Sequence, residues 1–293
     1  MPPEEALAGW TRPSSDGEQE KQDRTERMIR EAIAEHEPLV NCALRVYAKG
    51  SYANNTNVRA DSDVDIAVEC TEAEYWEEAM PGLHTATQSY RGAWTPERLR
   101  LELAAALARK FPGAVDTSGS TAMRIHSSST RVDADVVPCF SYRYYLDRAS
   151  SRIGTKIFRS DGTTLVNYPE QQLVNGRDKN QRTGHAFKKT VRILKRVENN
   201  IVQGGGAPVA SFFIECLTYN CPDAVFLAPS WTQTIRHALA HIWSSLQADE
   251  PSSDEQRWLE VNECFFLFHP NQKWTRVDGR SFAQAAWNYL GLR

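Results

Sequence analysis

The chain has 293 residues, 41% hydrophobic and 24% charged, with a net charge of −3. This is ordinary globular composition, long enough for one large domain or two joined lobes, and it excludes a disordered or fibrous chain. No apolar run approaches the roughly 20 residues a membrane helix needs, which argues against membrane insertion. Met1 to Asp23 are polar, without a secretory apolar segment. Six widely spaced cysteines, without CxxC pairs, read as reduced thiols of a cytoplasmic protein. The slightly negative charge gives no reason to expect a nucleic-acid coat protein.

In chain order, residues 1–24 read as a polar tail. A helix is expected over Gln19 to Glu35, where Met28, Ile29, Ala32 and Ile33 form an apolar stripe. Ala43 to Lys49 alternate as a strand that runs into Gly50-Ser51, and Asp63 to Cys70 form a second strand. Thr95 caps a helix to Lys110, with Pro96 at its first position. Met123 to His126 and Thr130 to Phe140 read as strands, and Ile157 to Val166 folds back around Ser160-Asp161-Gly162. The texture changes near Tyr168-Pro169. From there helices are expected near 179–200, 209–220, 231–246, 254–265 and 281–290. The fold class is therefore α+β: residues 25–168 make a mixed sheet with flanking helices, and residues 169–293 a helical lobe.

The densest chemical signal is Gly50-Ser51 followed, twelve residues after the serine, by Asp63-Val64-Asp65. Strand residues two apart share a face, so Asp63 and Asp65 present adjacent carboxylates while Val64 and Ile66 turn to the core. Like charges that close need a positive partner. Magnesium suits the purpose, because it takes hard oxygen ligands and shares them with phosphates. Glycine lets a backbone approach a phosphate, and amides with the Ser51 hydroxyl can cradle it. Asp61-Ser-Asp63-Val-Asp65 with Glu72 mimics a calcium-binding EF-hand loop, but Ile66 stands where that loop needs glycine. Arg131-Val-Asp133-Ala-Asp135-Val-Val-Pro138 is another strand with an acidic pair on one face. Laid beside the first, it converges three carboxylates into a two-metal site for phosphoryl chemistry.

With Gly-Ser, Asp-x-Asp and a later single Asp in that order, the sequence resembles the DNA polymerase β-like nucleotidyltransferase superfamily. Within it, Lys49-Gly-Ser-Tyr-Ala-Asn-Asn-Thr-Asn-Val58, Ser62-Asp-Val-Asp-Ile66 and Asp135-Val-Val-Pro138 are similar to motifs of the bacterial CD-NTases, the cyclic GMP–AMP synthase-like enzymes. The resemblance spans roughly residues 25 to 290. It implies a polymerase β-like fold with its active site in the cleft between catalytic and helical lobes. It also implies Asp63, Asp65 and Asp135 as catalytic metal ligands, and Gly50 and Ser51 on the donor phosphates. Asp61 becomes an accessory charge. Asp133 shares the face of Asp135 and is the alternative third acid.

A basic run, Arg177 to Arg196, fills the start of the helical lobe. On a helix Lys188, Arg192 and Lys195 share a face beside the apolar stripe of Phe187, Val191 and Leu194. A solvated basic face is the plain explanation, and opposite a metal site such cations act as triphosphate clamps. Lys195 and Ser211 match the family's triphosphate-binding lysine and serine. Phe212 stacks on a base in relatives, or simply packs in the core. His237 and His241 lack the glutamate and third ligand of a zinc site. Cys216 and Cys221 read as buried thiols. Tyr142, Tyr144 and Tyr145 line a cleft or pack.

The resemblance thus implies a template-independent nucleotidyltransferase that uses two Mg2+ ions, or Mn2+ in their place, to join nucleoside triphosphates. ATP, GTP, UTP and CTP are candidate substrates, and the expected product is a cyclic oligonucleotide, a dinucleotide in the first instance. Its setting in the family is anti-phage CBASS signalling in the bacterial cytoplasm, where the product activates a separate effector. The expected protein is mainly monomeric, without membrane attachment or DNA activation. The alternatives are a related enzyme that modifies a protein, a small molecule or an RNA end, and an inactive module that senses nucleotide.

Overall fold

The structure, a computed structural model, describes residues 4–13, 15–58, 63–84, 90–270 and 272–292. The chain forms two compact units. A sheet unit comprises Ser14–Ala53 and Arg59–Pro169, and a helical unit comprises Met1–Pro13, Asn54–Val58 and Glu170–Arg293. Asp61 and Ser62 lie outside the described residues. No helix among the described residues is long and apolar enough to cross a membrane.

In the sheet unit, β1 (Leu44–Lys49), β2 (Val64–Glu78), β5 (Ala134–Tyr145), β4 (Met123–Ile125) and β3 (Val115–Asp116) lie side by side in that order. β6 (Ser151–Phe158) pairs with the second half of β5, and β7 (Thr164–Asn167) pairs with β6. Only β2 and β5 run parallel. Alternation decides the faces. Val64, Ile66, Val68 and Cys70 of β2, with Ala134, Val136 and Phe140 of β5, are buried under α2 (Asp16–Ala34) and α5 (Pro96–Lys110). These helices present Ile29, Ala32 and Ile33, and Leu99, Leu103 and Leu107. Thr95 caps α5 by accepting from the Arg98 N–H, and Arg109 and Lys110 stand in its last turn, where the helix dipole favours cations. Before the bulge, Asp65, Ala67 and Glu69 of β2 point to the opposite face, which carries the acidic pair of Asp65 and Asp135. β2 runs eight residues beyond the expected end at Cys70, with a bulge between Cys70 and Glu74. A strand through Val64 also removes the EF-hand alternative.

The helical unit is built on α7 (Ala186–Gln203), whose Phe187, Val191, Leu194 and Val197 are fully buried. They pack with Phe213 and Leu217 of α8 (Ser211–Tyr219), Ile235 and Ile242 of α9 (Trp231–Ser245), and Phe282 and Ala286 of α10 (Arg276–Leu290).

Three expectations need correction. The stretch 1–24 is not a loose tail: it holds α1 (Glu4–Trp10) and the first turns of α2. Leu7 of α1 is buried in the helical core, and the Glu4 carboxylate accepts from the Trp231 and Thr232 N–H groups that open α9. The helix expected over 179–200 is two helices, α6 (Pro169–Arg182) and α7, because Gly184 and His185 take left-handed conformations at φ 56° and 66°. The helix expected over 254–265 is a single 3-10 turn followed by a hairpin-like loop. There Leu267 N–H donates to Trp258 O and Glu260 N–H to Phe265 O, with Glu263 at φ 54°. Phe265, Phe266 and Phe268 mimic helical periodicity, but Asn262 Oδ1 accepts from the N–H groups of Cys264 and Phe265 and competes with the helix. All six cysteines are free thiols.

If α1 is part of the helical core, Leu7→Ala lowers stability by about 2–5 kcal/mol, as for other buried leucines. Urea denaturation of the full chain measures this. A change under 0.5 kcal/mol, the size typical of surface substitutions, would restore the tail.

Candidate active site

The sheet register assembles one cross-strand row. Lys49 at the end of β1 pairs with Asp65, Asp65 pairs with Asp135 across the parallel strands, and Arg124 of β4 pairs with Asp135 from the other side. Two carboxylates thus stand side by side, flanked by a cation at each end. Burial pushes the Asp65 carboxyl above its ordinary range; Lys49 opposes this, and Asp135 and Asp63 add to it by repulsion. Asp63 precedes β2, and its Oδ1 accepts from Arg124 Nη2 at 3.3 Å.

Asp133, the alternative third acid, shares Arg124 with Asp63. Its Oδ2 accepts from the same Arg124 Nη2 at 2.8 Å, and its Oδ1 accepts from the Ser127 N–H. Burial alone raises its carboxyl, but Arg124 and Ser127 outweigh that and hold it below the ordinary range. Among the described residues, no three His, Cys, Asp or Glu side chains are gathered closely enough to cage a metal ion. The donors nevertheless suit a hard divalent cation, because all are carboxylate oxygens and the half-buried Asp65 stands in register with a second carboxylate.

After β1 comes a single turn of helix, α4 (Gly50–Ala53). Gly50 sits at φ 69°, where a side chain is strained, and a Cβ there would collide with Asp65 Oδ2. The space beside that carboxylate therefore depends on glycine.

In the helical unit, the predicted residues divide by accessibility. Ser211 is exposed at the first position of α8, and Lys188 is part-buried on α7. Burial pushes the Lys188 ammonium down, and Glu215 opposes it. Arg192 is buried, with Nε donating to Thr11 O at 2.6 Å and Nη1 to Asn55 O. Lys195 is only 2% exposed: its Nζ is 3.5 Å from Glu215 Oε2 and donates to Thr56 Oγ1 at 3.3 Å. Phe212 is half-buried against the helical core, its ring centroid 6.1 Å from that of Trp274.

Sequence reasoning missed Glu215, Arg124 and Lys49. Glu215 accepts from Asn54 Nδ2 and from Thr56 Oγ1 at 2.8 Å, besides pairing with Lys195. A glutamate inside the apolar run Phe212 to Leu217 was the available signal. Arg124 sits between the core residues Met123 and Ile125, so alternation alone puts it on the acidic face.

The remaining sequence signals resolve as packing. His241 stacks on Trp258, while His237 is exposed. Tyr142 is buried, and Tyr145 stacks on His84.

Residues 174–291 match the family model described as the cGAS/DncV-like nucleotidyltransferase C-terminal helical domain. The chain is 35% identical to a cyclic dipyrimidine nucleotide synthase CdnE of Legionella pneumophila, over 98% of this chain and 97% of that protein. It is 32% identical to a cyclic dipurine nucleotide synthase of Elizabethkingia meningoseptica, over 99% of both chains. The structure of that bacterium's CdnE with GTP and Apcpp superposes with a TM-score of 0.83 over 99% of this chain and 100% of that one, at 31% identity. The Rhodothermus marinus CdnE c-UMP-AMP synthase with Apcpp and Upnpp gives 0.85 over 100% and 98%, at 25% identity. With a polymerase β-like sheet, the acidic row on it and full-length relatives of this similarity, the chain belongs to the bacterial CD-NTase family, nucleotidyltransferases that synthesise cyclic nucleotides.

Proposed function

We propose that this nucleotidyltransferase joins two nucleoside triphosphates, in two successive transfers, into a cyclic dinucleotide. The observation that carries the reading is the Asp65–Asp135 pair, two carboxylates in register on adjacent strands with Gly50 leaving room beside them. Asp63, Asp65 and Asp135 would hold two Mg2+ ions, with Mn2+ able to replace them. Bound there, divalent cations ease deprotonation of the acceptor hydroxyl and offset the charge of the triphosphate and departing pyrophosphate. In each transfer a ribose hydroxyl oxygen bonds to the donor α-phosphorus, the hydroxyl proton departs, and the bond to pyrophosphate breaks.

The chain's own groups orient this chemistry. Gly50 admits the donor phosphates to the backbone, and the Ser51 hydroxyl donates to a phosphate oxygen. Ser211 and Lys188 are accessible donors for the triphosphate, and Arg192 keeps the backbone beside them in place. Lys195 contributes a positive charge that Glu215 and Thr56 hold still. Phe212 stays with the core. The bases remain to be read by experiment, since relatives bear names for dipyrimidine, dipurine and UMP–AMP products. The setting that fits is bacterial cytoplasm, a mainly monomeric enzyme, and a separate effector that binds the product in anti-phage signalling.

Incubation with all four labelled triphosphates and Mg2+, followed by phosphatase, is expected to leave a resistant cyclic product. Leaving out each triphosphate in turn names its bases. Asp65→Asn lowers product formation by roughly a thousandfold, because several kcal/mol of charge stabilisation are lost. A resistant product made equally well by that variant would sink the assignment.

Gly50→Ala separates the phosphate approach from folding. It costs about 1–3 kcal/mol of stability through the left-handed backbone. Synthesis falls by at least about tenfold, the size of effect that misplaced reacting groups produce. Thermal unfolding and initial rates on the same sample check both. Full activity would mean that no close phosphate approach occurs there.

A further inference from the structure

Arg124 is in contact with both Asp63 and Asp133, and nothing in the chemistry above employs it. Its contact with Asp133 is short, 2.8 Å, and Asp133 is itself pinned by the Ser127 N–H; its contact with Asp63 is longer, 3.3 Å. The guanidinium is therefore anchored on Asp133 and holds Asp63 with its looser bond. Both partners of that looser bond are open to solvent, at 43% for Arg124 and 36% for Asp63, so the bond can break without stranding a buried charge.

We propose that Arg124 is a positioning residue that competes with divalent cation for Asp63. Anchored by Asp133, it keeps the Asp63 carboxylate aimed away from the Asp65–Asp135 pair and yields it when cation and triphosphate arrive together. Free cation alone then binds weakly, and Asp133 acts as the fixed post on which the arginine pivots. The inference rests on Asp63, Asp65 and Asp135 being the cation ligands.

The test is Mn2+ binding to the full-length chain without nucleotide, with free ion followed by electron paramagnetic resonance. Wild type, Arg124→Gln, Asp63→Asn and the double variant form a cycle, and Asp65→Asn runs beside it. Arg124→Gln is expected to bind Mn2+ up to about fivefold more tightly, the factor set by removing one exposed ion pair from competition. That gain vanishes in the Asp63→Asn background, where no carboxylate remains to be released. An equal gain in both backgrounds would reveal bulk charge rather than competition, and no gain or weaker binding would mean that Arg124 supports the site; each overturns the proposal. If Arg124→Gln does not fold, Arg124→Lys carries the same cycle, with a smaller gain and the same dependence on Asp63. Unchanged affinity in Asp65→Asn overturns the cation assignment together with the proposal, whereas lost affinity there with a flat Arg124 cycle overturns the proposal alone.

Discussion

The parallel pairing of β2 with β5 sets Asp65 beside Asp135, and the chemistry of the site depends on that register. Adjacent strands lie about 4.8 Å apart, and two carboxylates at that separation repel by about 3 kcal/mol at the effective dielectric of a protein surface. What enforces the register lies on the other face of the same strands. Val64, Ile66, Val68 and Val136 are fully buried there, and at about 2 kcal/mol each their burial supplies about 8 kcal/mol. A slip of one residue would exchange the faces, sending acids into the core and aliphatics to the site. The hydrophobic core therefore holds the charge pair together against its own repulsion, and Lys49 and Arg124 reduce that repulsion from each end of the row.

What could be read in advance follows from the range of each interaction. The Gly50-Ser51 turn and the Asp63, Asp65 and Asp135 positions are local patterns: a glycine before a short polar turn, and period-two alternation. They identify a face of a strand without any knowledge of its neighbours. Helix α5 was equally legible, because its cap, its first proline and its apolar stripe lie within sixteen residues. Helix α1 was not, since seven residues are too few to be helical alone and owe their order to Leu7 and Glu4 meeting α7 and α9. The break at Gly184-His185 was hidden for the opposite reason: charged residues on both sides kept a continuous helical pattern. At 254–265 only Asn262 hinted at the turn that replaces the expected helix.

The cations of the helical unit were visible as a basic run but not as individuals with different partners. Those partners come from distant sequence. Glu215 lies about 160 residues from Asn54 and Thr56, so no local pattern announces that it gathers them with Lys195. Asp133 and Asp135 look equivalent in the sequence; Asp133 precedes β5 and bonds to Arg124 and the Ser127 N–H, whereas Asp135 lies within β5 in register with Asp65 and Arg124.

These partnerships also divide the cations by how freely they can move. The Lys195–Glu215 pair is buried on both sides, and removing either member of such a pair leaves an unpaired charge at a cost of about 3–5 kcal/mol. Arg192 is similarly buried, with its guanidinium bonded to backbone oxygens. Charges held in this way are fixed in place by their partners. Arg124 belongs to the other class. Its bond to Asp63 lies at the surface, where an ion pair is worth no more than about 1 kcal/mol. A cation of the first kind can define the shape of a site but cannot change partners. One of the second kind can change partners at little cost, so only a surface pair such as Arg124–Asp63 is suited to release a carboxylate during the enzyme's cycle.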